Sequence, residues 1–421
     1  METSRFHCAI ALALGLGLAG ASGTLAGTLT VRPGVSNGGQ ARYIGNQGLE
    51  VNVASPDRGA AYLQSSHPSG EVTYRARFFM NLRGLAMSEG DEFDLLAAYD
   101  GSDPVPPATT GNAELRIVVR QSAGQKVLSA FVRTDAGSEL EIPATVPLVD
   151  GWRMVEINWA RATAAGANNG LLELWVDGVK RAGRTGVDND TTVINYVRWG
   201  TVTGVDLGTS GTFKLDEYAS QRSGYIGPIQ VFSDVPASDS LFKFIQGLYA
   251  SEITAGCGSG QYCPTSNVTR EQMAIFLIRG IHGPDYAPPP ATGIFSDVPT
   301  GTFQAPYVER FYNEGITSGC GTSPLRYCPT DPVTRAQMAV FLLRAKHGSS
   351  YTPPPATGTL FSDVPANAFA AAWIEQLYNE GISAGCATSP LRFCPTDPVT
   401  RAQMAVFILR AFSLPPQEIG P

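Results

Sequence analysis

Charge is scarce in this chain: only 16% of its 421 residues are Asp, Glu, Lys or Arg, and lysine stands at just Lys126, Lys180, Lys214, Lys243 and Lys346. With 37 acidic against 30 basic residues, a formal net charge of −7 and no basic run, the surface as a whole suits neither nucleic acid nor anionic lipid. Histidine is scarcer still, at His7, His67, His282 and His347. Four scattered histidines assemble neither a metal cluster nor a Ser-His-Asp triad. A phosphate-loop motif is missing, and beyond the N-terminal segment no stretch of 18 apolar residues exists to cross a membrane. What the chain has in excess is 46 Gly and 30 Pro without a collagen period, which marks many turns. At 43% hydrophobic it is too apolar for disorder and too long for one ordinary domain. Its seven cysteines are an odd count that needs an explanation.

Residues 1–26 carry Arg5 in a short head, then an apolar run over residues 9–19, then small residues. That is the layout of a secretory signal peptide, with Thr24-Leu25-Ala26 or Ala21-Ser22-Gly23 as the cleavage site. A membrane anchor is the other reading, but the run is shorter than the roughly 20 residues of a spanning helix. Cys8 precedes the run, whereas a lipidation cysteine would follow it. The mature protein is therefore expected outside the cytoplasm, in the cell envelope, at the cell surface or in the medium. It keeps six cysteines.

A pentapeptide then recurs three times: Phe232-Ser233-Asp234-Val235-Pro236, Phe295-Ser296-Asp297-Val298-Pro299 and Phe361-Ser362-Asp363-Val364-Pro365. The copies are joined by Tyr286-Ala287-Pro288-Pro289-Pro290-Ala291-Thr292-Gly293 and Tyr351-Thr352-Pro353-Pro354-Pro355-Ala356-Thr357-Gly358, whose triple prolines make semi-rigid spacers. Val308, Phe311, Tyr312 and Ile316 fall at helical spacing, as do Ile374, Leu377, Tyr378 and Ile382, with Gly315 and Gly381 near the ends as helix-stopping glycines. A second helix in each repeat opens at Thr269, Thr334 or Thr400. Gln272, Gln337 and Gln403 then sit at the third helical position and complete a capping box. Bodies such as Met338-Ala339-Val340-Phe341-Leu342-Leu343 are apolar nearly all round and belong in the middle of a bundle. Between the helices lie Cys257 and Cys263, Cys320 and Cys328, Cys386 and Cys394. One pair per repeat argues for three local disulfides in an exported protein. Zinc is the rival reading, yet two thiolates without further ligands do not fill a tetrahedral site.

With Val-Thr-Arg after the Cys-Pro of each loop, residues 231–283, 294–347 and 360–412 resemble three tandem S-layer homology domains. The resemblance implies a pseudo-threefold helical bundle that attaches bacterial exoproteins non-covalently to cell-wall polysaccharide or peptidoglycan. It places the family's Thr-Arg-Ala-Glu motif on residues 269–272, 334–337 and 400–403, with Arg270, Arg335 and Arg401 as the glycan-binding arginines. An arginine at a helix N-terminus, where backbone NH groups are free and the dipole is positive, suits an acidic ligand. The alternative is that these side chains stack on neighbouring loops or reach solvent. Gln stands where the family has Glu, which removes a negative charge, and the paired cysteines are extra to the usual pattern.

Residues 27–227 have a different texture, with alternating runs such as Leu115-Arg116-Ile117-Val118-Val119-Arg120 that mark about a dozen antiparallel strands. The run Trp152-Arg153-Met154-Val155-Glu156-Ile157-Asn158-Trp159, then Leu172-Glu173-Leu174-Trp175-Val176-Asp177-Gly178, then Phe213-Lys214-Leu215-Asp216-Glu217-Tyr218 resembles the concanavalin A-like, laminin-G-type jelly roll. That fold hosts lectins, peptide binders and glucanases, so it fixes no function. A retaining glucanase needs two carboxylates about 5 Å apart on one strand. The nearest motif, Glu89-Gly90-Asp91-Glu92-Phe93-Asp94, reads instead as a turn entering an apolar strand over residues 93–98. Loop acids Asp100, Asp103, Asp188 and Asp190 are calcium candidates for this fold. Trp152, Trp159, Trp175 and Trp199 are either core residues or sugar platforms.

The expected whole is multidomain: an all-β jelly-roll sandwich followed by an all-α, three-repeat bundle. The expected function is non-enzymatic, with a wall-anchoring module displaying a glycan- or protein-binding domain and needing no cofactor. An anchored glycoside hydrolase and a structural surface-layer subunit are the alternatives.

Overall fold

The computed structural model describes residues 29–31, 35–37, 44, 48–53, 60–101 and 113–421. Residues 1–26, with Cys8, and Asp103 lie outside them. The chain divides into two compact units, Met1–Ile229 with Glu418–Pro421, and Gln230–Gln417.

The first unit is a sandwich of two antiparallel sheets. Its strands are β1 (Leu29–Val31), β2 (Val35–Asn37), β3 (Leu49–Val53), β4 (Ala61–Glu71), β5 (Thr73–Asn81) and β6 (Leu85–Ala86). They continue with β7 (Glu92–Tyr99), β8 (Ala113–Ser122), β9 (Gln125–Arg133), β10 (Glu139–Glu141) and β11 (Val146–Pro147). Five long strands close the series: β12 (Trp152–Ala160), β13 (Gly170–Val176), β14 (Val179–Val187), β15 (Ile194–Thr203) and β16 (Ser210–Gln221). One sheet runs β1-β4-β15-β7-β8-β9-β10, with β11 also on β9; the other runs β14-β13-β12-β5-β16-β3-β2, with β6 on β16. The sixteen strands among the described residues exceed the expected dozen because several span only two or three residues, too few for alternation to register.

Alternation builds the core. Val155, Ile157 and Trp159 of β12 share one core with Leu115, Ile117 and Val119 of β8, while Glu156 and Asn158 lie on the opposite face of β12. Asp177 and Gly178, with φ of 52° and 78°, form the tight turn that joins β13 to β14. Glu89 accepts hydrogen bonds from the backbone NH of Ala123 and Gly124, and Asp91 from Ser88. That acidic motif is a turn tied to the β8–β9 hairpin. Trp152, Trp159 and Trp199 are buried, and Trp175 is half-buried beside Tyr225.

The second unit carries α1 (Phe242–Ala250), α2 (Arg270–His282), α3 (Ala305–Asn313), α4 (Arg335–His347), α5 (Ala371–Asn379) and α6 (Arg401–Ala411). Helices α2, α4 and α6 meet at the centre, and α3 packs on α2, α5 on α4 and α1 on α6. Each central helix therefore pairs with the outer helix of the next repeat, so the three repeats close into a ring. At the axis the backbone closes the same ring: Val268 donates to Val399 O, Val399 to Val333 O and Val333 to Val268 O, at 2.8, 2.9 and 2.9 Å.

Two further features hold the ring. Glu309 of α3 accepts from the NH groups of Thr292, Gly293 and Ile294, and Glu375 of α5 from Thr357 and Gly358, which pins both proline spacers. On α1 the corresponding residue is Gln246, and no spacer precedes it; residues 415–417 run there instead, with Pro415 and Pro416 against Gly247 and Gln417 N bonded to Lys243 O. Ile316 and Ile382, expected on the outer helices, lie just past them. Each donates its NH to the carbonyl of Phe311 or Leu377 across Gly315 or Gly381, a Schellman stop. Short hairpins, β17 (Gly321–Thr322) with β18 (Leu325–Arg326) and β19 (Ala387–Thr388) with β20 (Leu391–Arg392), add a little sheet to a unit expected to be all helix.

Candidate functional site

Each central helix starts in the same way. Thr269, Thr334 and Thr400 accept from the NH of Gln272, Gln337 and Gln403, and the glutamine side chains accept from the threonine NH. The next residue is Arg270, Arg335 or Arg401, and all three are buried, at 5, 3 and 4% exposure. Nε of each donates across a repeat boundary: Arg270 to Tyr327 O at 2.7 Å, Arg335 to Phe393 O at 2.7 Å and Arg401 to Tyr262 O at 2.8 Å. Each guanidinium also lies between two rings of that neighbouring repeat. The rings are Tyr327 and Phe341, Phe393 and Phe407, Tyr262 and Phe276, with centroids 4.7 to 5.7 Å away.

The NH groups thought to be free at these helix starts are taken. Arg270 N and Glu271 N donate to Asp331 O and Pro329 O, Arg335 N and Ala336 N to Asp397 O and Pro395 O, and Arg401 N and Ala402 N to Ser266 O and Pro264 O. The neighbouring repeat's Cys-Pro loop thus occupies the place that an anion would take. What stays unsatisfied is the side chain itself: Nη2 of Arg270, Arg335 and Arg401 is buried without a partner among the described residues. Three equivalent orphan donors thus lie at three equivalent seams.

Electrostatics supports the same seams. Burial lowers the pKa of all three arginines, which stay cationic, while Asp331 and Asp297 oppose the shift at Arg270, Asp397 and Asp363 at Arg335, and Asp234 at Arg401. The pentapeptide aspartates also belong to these seams, and their threefold recurrence is the sequence signal that marks them. Asp234 accepts from the NH of Tyr262 and Cys263, Asp297 from Tyr327 and Cys328, and Asp363 from Phe393 and Cys394. They hold the loop that supplies each arginine's stacking ring. The cysteines at these loops, with φ of 54 to 58°, close the disulfides Cys257–Cys263, Cys320–Cys328 and Cys386–Cys394, with Cα atoms 6.0, 6.1 and 6.1 Å apart. Asp297 and Asp363 stand within 4.8 Å of two of these pairs, but sulfurs bonded to each other are not thiolate ligands.

In the sandwich, Asp188 and Asp190 come together with Asp135, their carboxylate oxygens within 4.8 Å of one another, whereas Asp100 bonds to Asn195. Such hard oxygen donors are the type calcium takes, though three fall short of its usual six to eight ligands. Glu156, also buried, holds Arg75 and the NH groups of Ile226 and Gly227, whereas Oε2 of the buried Glu114 has no partner among the described residues.

Residues 231–274 match the S-layer homology domain family. Among curated proteins, an endoglucanase of Bacillus sp. (strain KSM-635) is 33% identical over 27% of this chain and 11% of its own length. An amylopullulanase of Thermoanaerobacterium thermosulfurigenes is 26% identical over 50% of this chain and 11% of its own, and a cell surface protein of Thermoanaerobacter kivui 33% over 29% and 16%. The chain thus spans well under a fifth of these relatives. Among solved structures, the binding domain of botulinum neurotoxin DC covers 58% of this chain and 48% of its own at a TM-score of 0.35 and 9% identity. The serotype G binding domain covers 59% and 52% at 0.34 and 10%. The protein is therefore a two-sheet antiparallel sandwich followed by a helical region that contains an S-layer homology domain.

Proposed function

We propose that the helical unit anchors the chain non-covalently to a cell-wall polysaccharide or peptidoglycan, and that it displays the sandwich as a recognition domain at the cell surface. The observation that carries the reading is the threefold set of buried arginines, each stacked on the next repeat with Nη2 unsatisfied. A carboxylate or a sugar hydroxyl reaching that donor would gain a charge-assisted hydrogen bond that the protein does not make for itself. The matched domain family and the cell surface relative support the location. Among the described residues no helix is long and apolar enough to cross a membrane.

The test is co-sedimentation of the full chain with purified cell-wall sacculi. Retention in the pellet, reversed by soluble wall polymer, supports anchoring; a chain left wholly in the supernatant sinks it. Two relatives carry the names of glycan-cleaving enzymes, which makes hydrolysis the second reading. Reducing sugar released from β-glucan or pullulan by the full chain would establish it. The binding-domain reading expects none.

A further inference from the structure

At one end of the sandwich the inward-facing rows stop being apolar. On β8 the row Leu115, Ile117, Val119 continues to Gln121; on β9 the row Val132, Ala130, Leu128 continues to Lys126; on β12 the row Trp159, Ile157, Val155 continues to Arg153. Gln121 and Lys126 are register partners in the β8–β9 hairpin, so two of these polar ends lie side by side. Between them and residues 148–151 opens a cavity of about 370 Å³, with Leu82, Leu148 and Val149 as its apolar wall.

Arg153 gives the cavity its chemistry. It is 4% exposed; Nε donates to Trp152 O at 3.1 Å, and Nη2 lies 3.3 Å from Asp177 Oδ2. No hydrogen bond of Nη1 is seen among the described residues, and Arg153 lines the cavity. A nearly buried guanidinium with an idle face favours a carboxylate there. Lys126 adds a second cation to the wall, where Asp150 is the one carboxylate of the lining and Asp177 pairs with Arg153 through Nη2. The amides of Gln121 and Gln125 offer donors and acceptors suited to hydroxyl groups. The volume is that of a small-ligand site.

We propose that this cavity binds an acidic monosaccharide, with its carboxylate on Arg153 and Lys126, its hydroxyls on Gln121, Gln125 and Asp150, and its C–H face on Leu148 and Val149. This deepens, and rests on, the reading of the sandwich as a recognition domain.

The full chain is titrated by calorimetry with glucuronate, glucose and acetate, while its sedimentation with sacculi is followed separately. Glucuronate is expected to bind at least about tenfold tighter than either of the others. Arg153→Gln should abolish that binding, and Lys126→Gln should weaken it by about tenfold. The Lys126 variant, on the open side of the cavity, guards against a loss that reflects only the broken Arg153–Asp177 pair, and a melting curve accompanies both. Equal affinity for glucose, or for acetate, overturns the proposal, as does an absence of glucuronate binding or a glucuronate affinity that neither substitution changes. A chain that binds other glycans on an array but not glucuronate loses this site and keeps its recognition role. One that binds no glycan on the array loses the glycan form of that role as well.

Discussion

Asp297 and Asp363 each use one carboxylate to hold two consecutive backbone NH groups, and the loops they hold carry the rings against which Arg270 and Arg335 stack. Burial would raise their pKa, but the hydrogen bonds from Tyr327 and Cys328, and from Phe393 and Cys394, outweigh it and hold both carboxyls below the usual range. Glu309 and Glu375 are lowered in the same way by the spacer NH groups they accept. A carboxyl whose pKa falls on folding contributes stability above its unfolded pKa and loses it as pH drops through the folded value. The helical unit should therefore weaken progressively below about pH 4. Asp297→Asn and Glu309→Gln should each flatten that acid limb and cost about 1 to 2 kcal/mol at neutral pH in urea unfolding followed by helical circular dichroism. An unchanged acid limb in both variants would contradict the assignment. At this scale the capping boxes were legible, because Thr-x-x-Gln acts within three residues. The arginines' partners were not, since the carbonyl that Arg270 meets is 57 residues away and the one that Arg401 meets is 139 residues back.

Among the elements, the outer helices show how a shared stop tolerates one irregular copy. Gly315 and Gly381 end α3 and α5 at φ of 69° and 70°, but after α1 the same position is Glu252 at φ 59°. A residue with a side chain is strained there by roughly 1 kcal/mol or somewhat more. Glu252→Gly is thus expected to stabilise the helical unit by up to about 1 kcal/mol, seen as a raised midpoint in thermal or urea unfolding. A lowered midpoint would show that the glutamate side chain contributes more than its backbone costs. The helices were legible from their apolar spacing, and their ends from glycine. Ile316 and Ile382 were misplaced by the same spacing, because a Schellman stop returns the residue after the glycine to the apolar face of the helix it has just left. The shortest strands left no period to read. The disulfides, each closing a span of six or eight residues, add roughly 2 to 3 kcal/mol apiece on the chain-entropy account, so reduction should lower the melting point of the helical unit.

Over the whole molecule the two units respond to pH through different groups. In the sandwich, burial pushes the Glu114 carboxyl up to about 7, and burial together with Arg222 brings His67 down to about 4. Glu114 favours the fold while protonated, so its contribution is lost as pH rises from about 4.5 to 7; His67 favours the fold while neutral, so its contribution is lost as pH falls from about 6.5 to 4. The two slopes oppose each other, so Glu114→Gln, which removes one of them, should gain stability relative to the parent as pH rises from about 4.5 to 6.5. Tryptophan fluorescence reads this unit selectively, since four of the five tryptophans, all but Trp373, lie in it. A variant whose stability follows pH as the parent's does would contradict this assignment.

The repeats could be counted in the sequence, but their closure into a ring could not, because it rests on helices that pair across repeat boundaries and on residues 415–417 standing in for a third spacer. The proposed role of the arginines at the seams of this ring is to hold the wall polymer. Its most direct test is the binding isotherm of the full chain on purified sacculi, compared with the Arg335→Ala, Arg401→Ala double variant under conditions where circular dichroism shows the variant folded. The account predicts that the variant binds at least about tenfold more weakly. An isotherm that superimposes on that of the parent would contradict it.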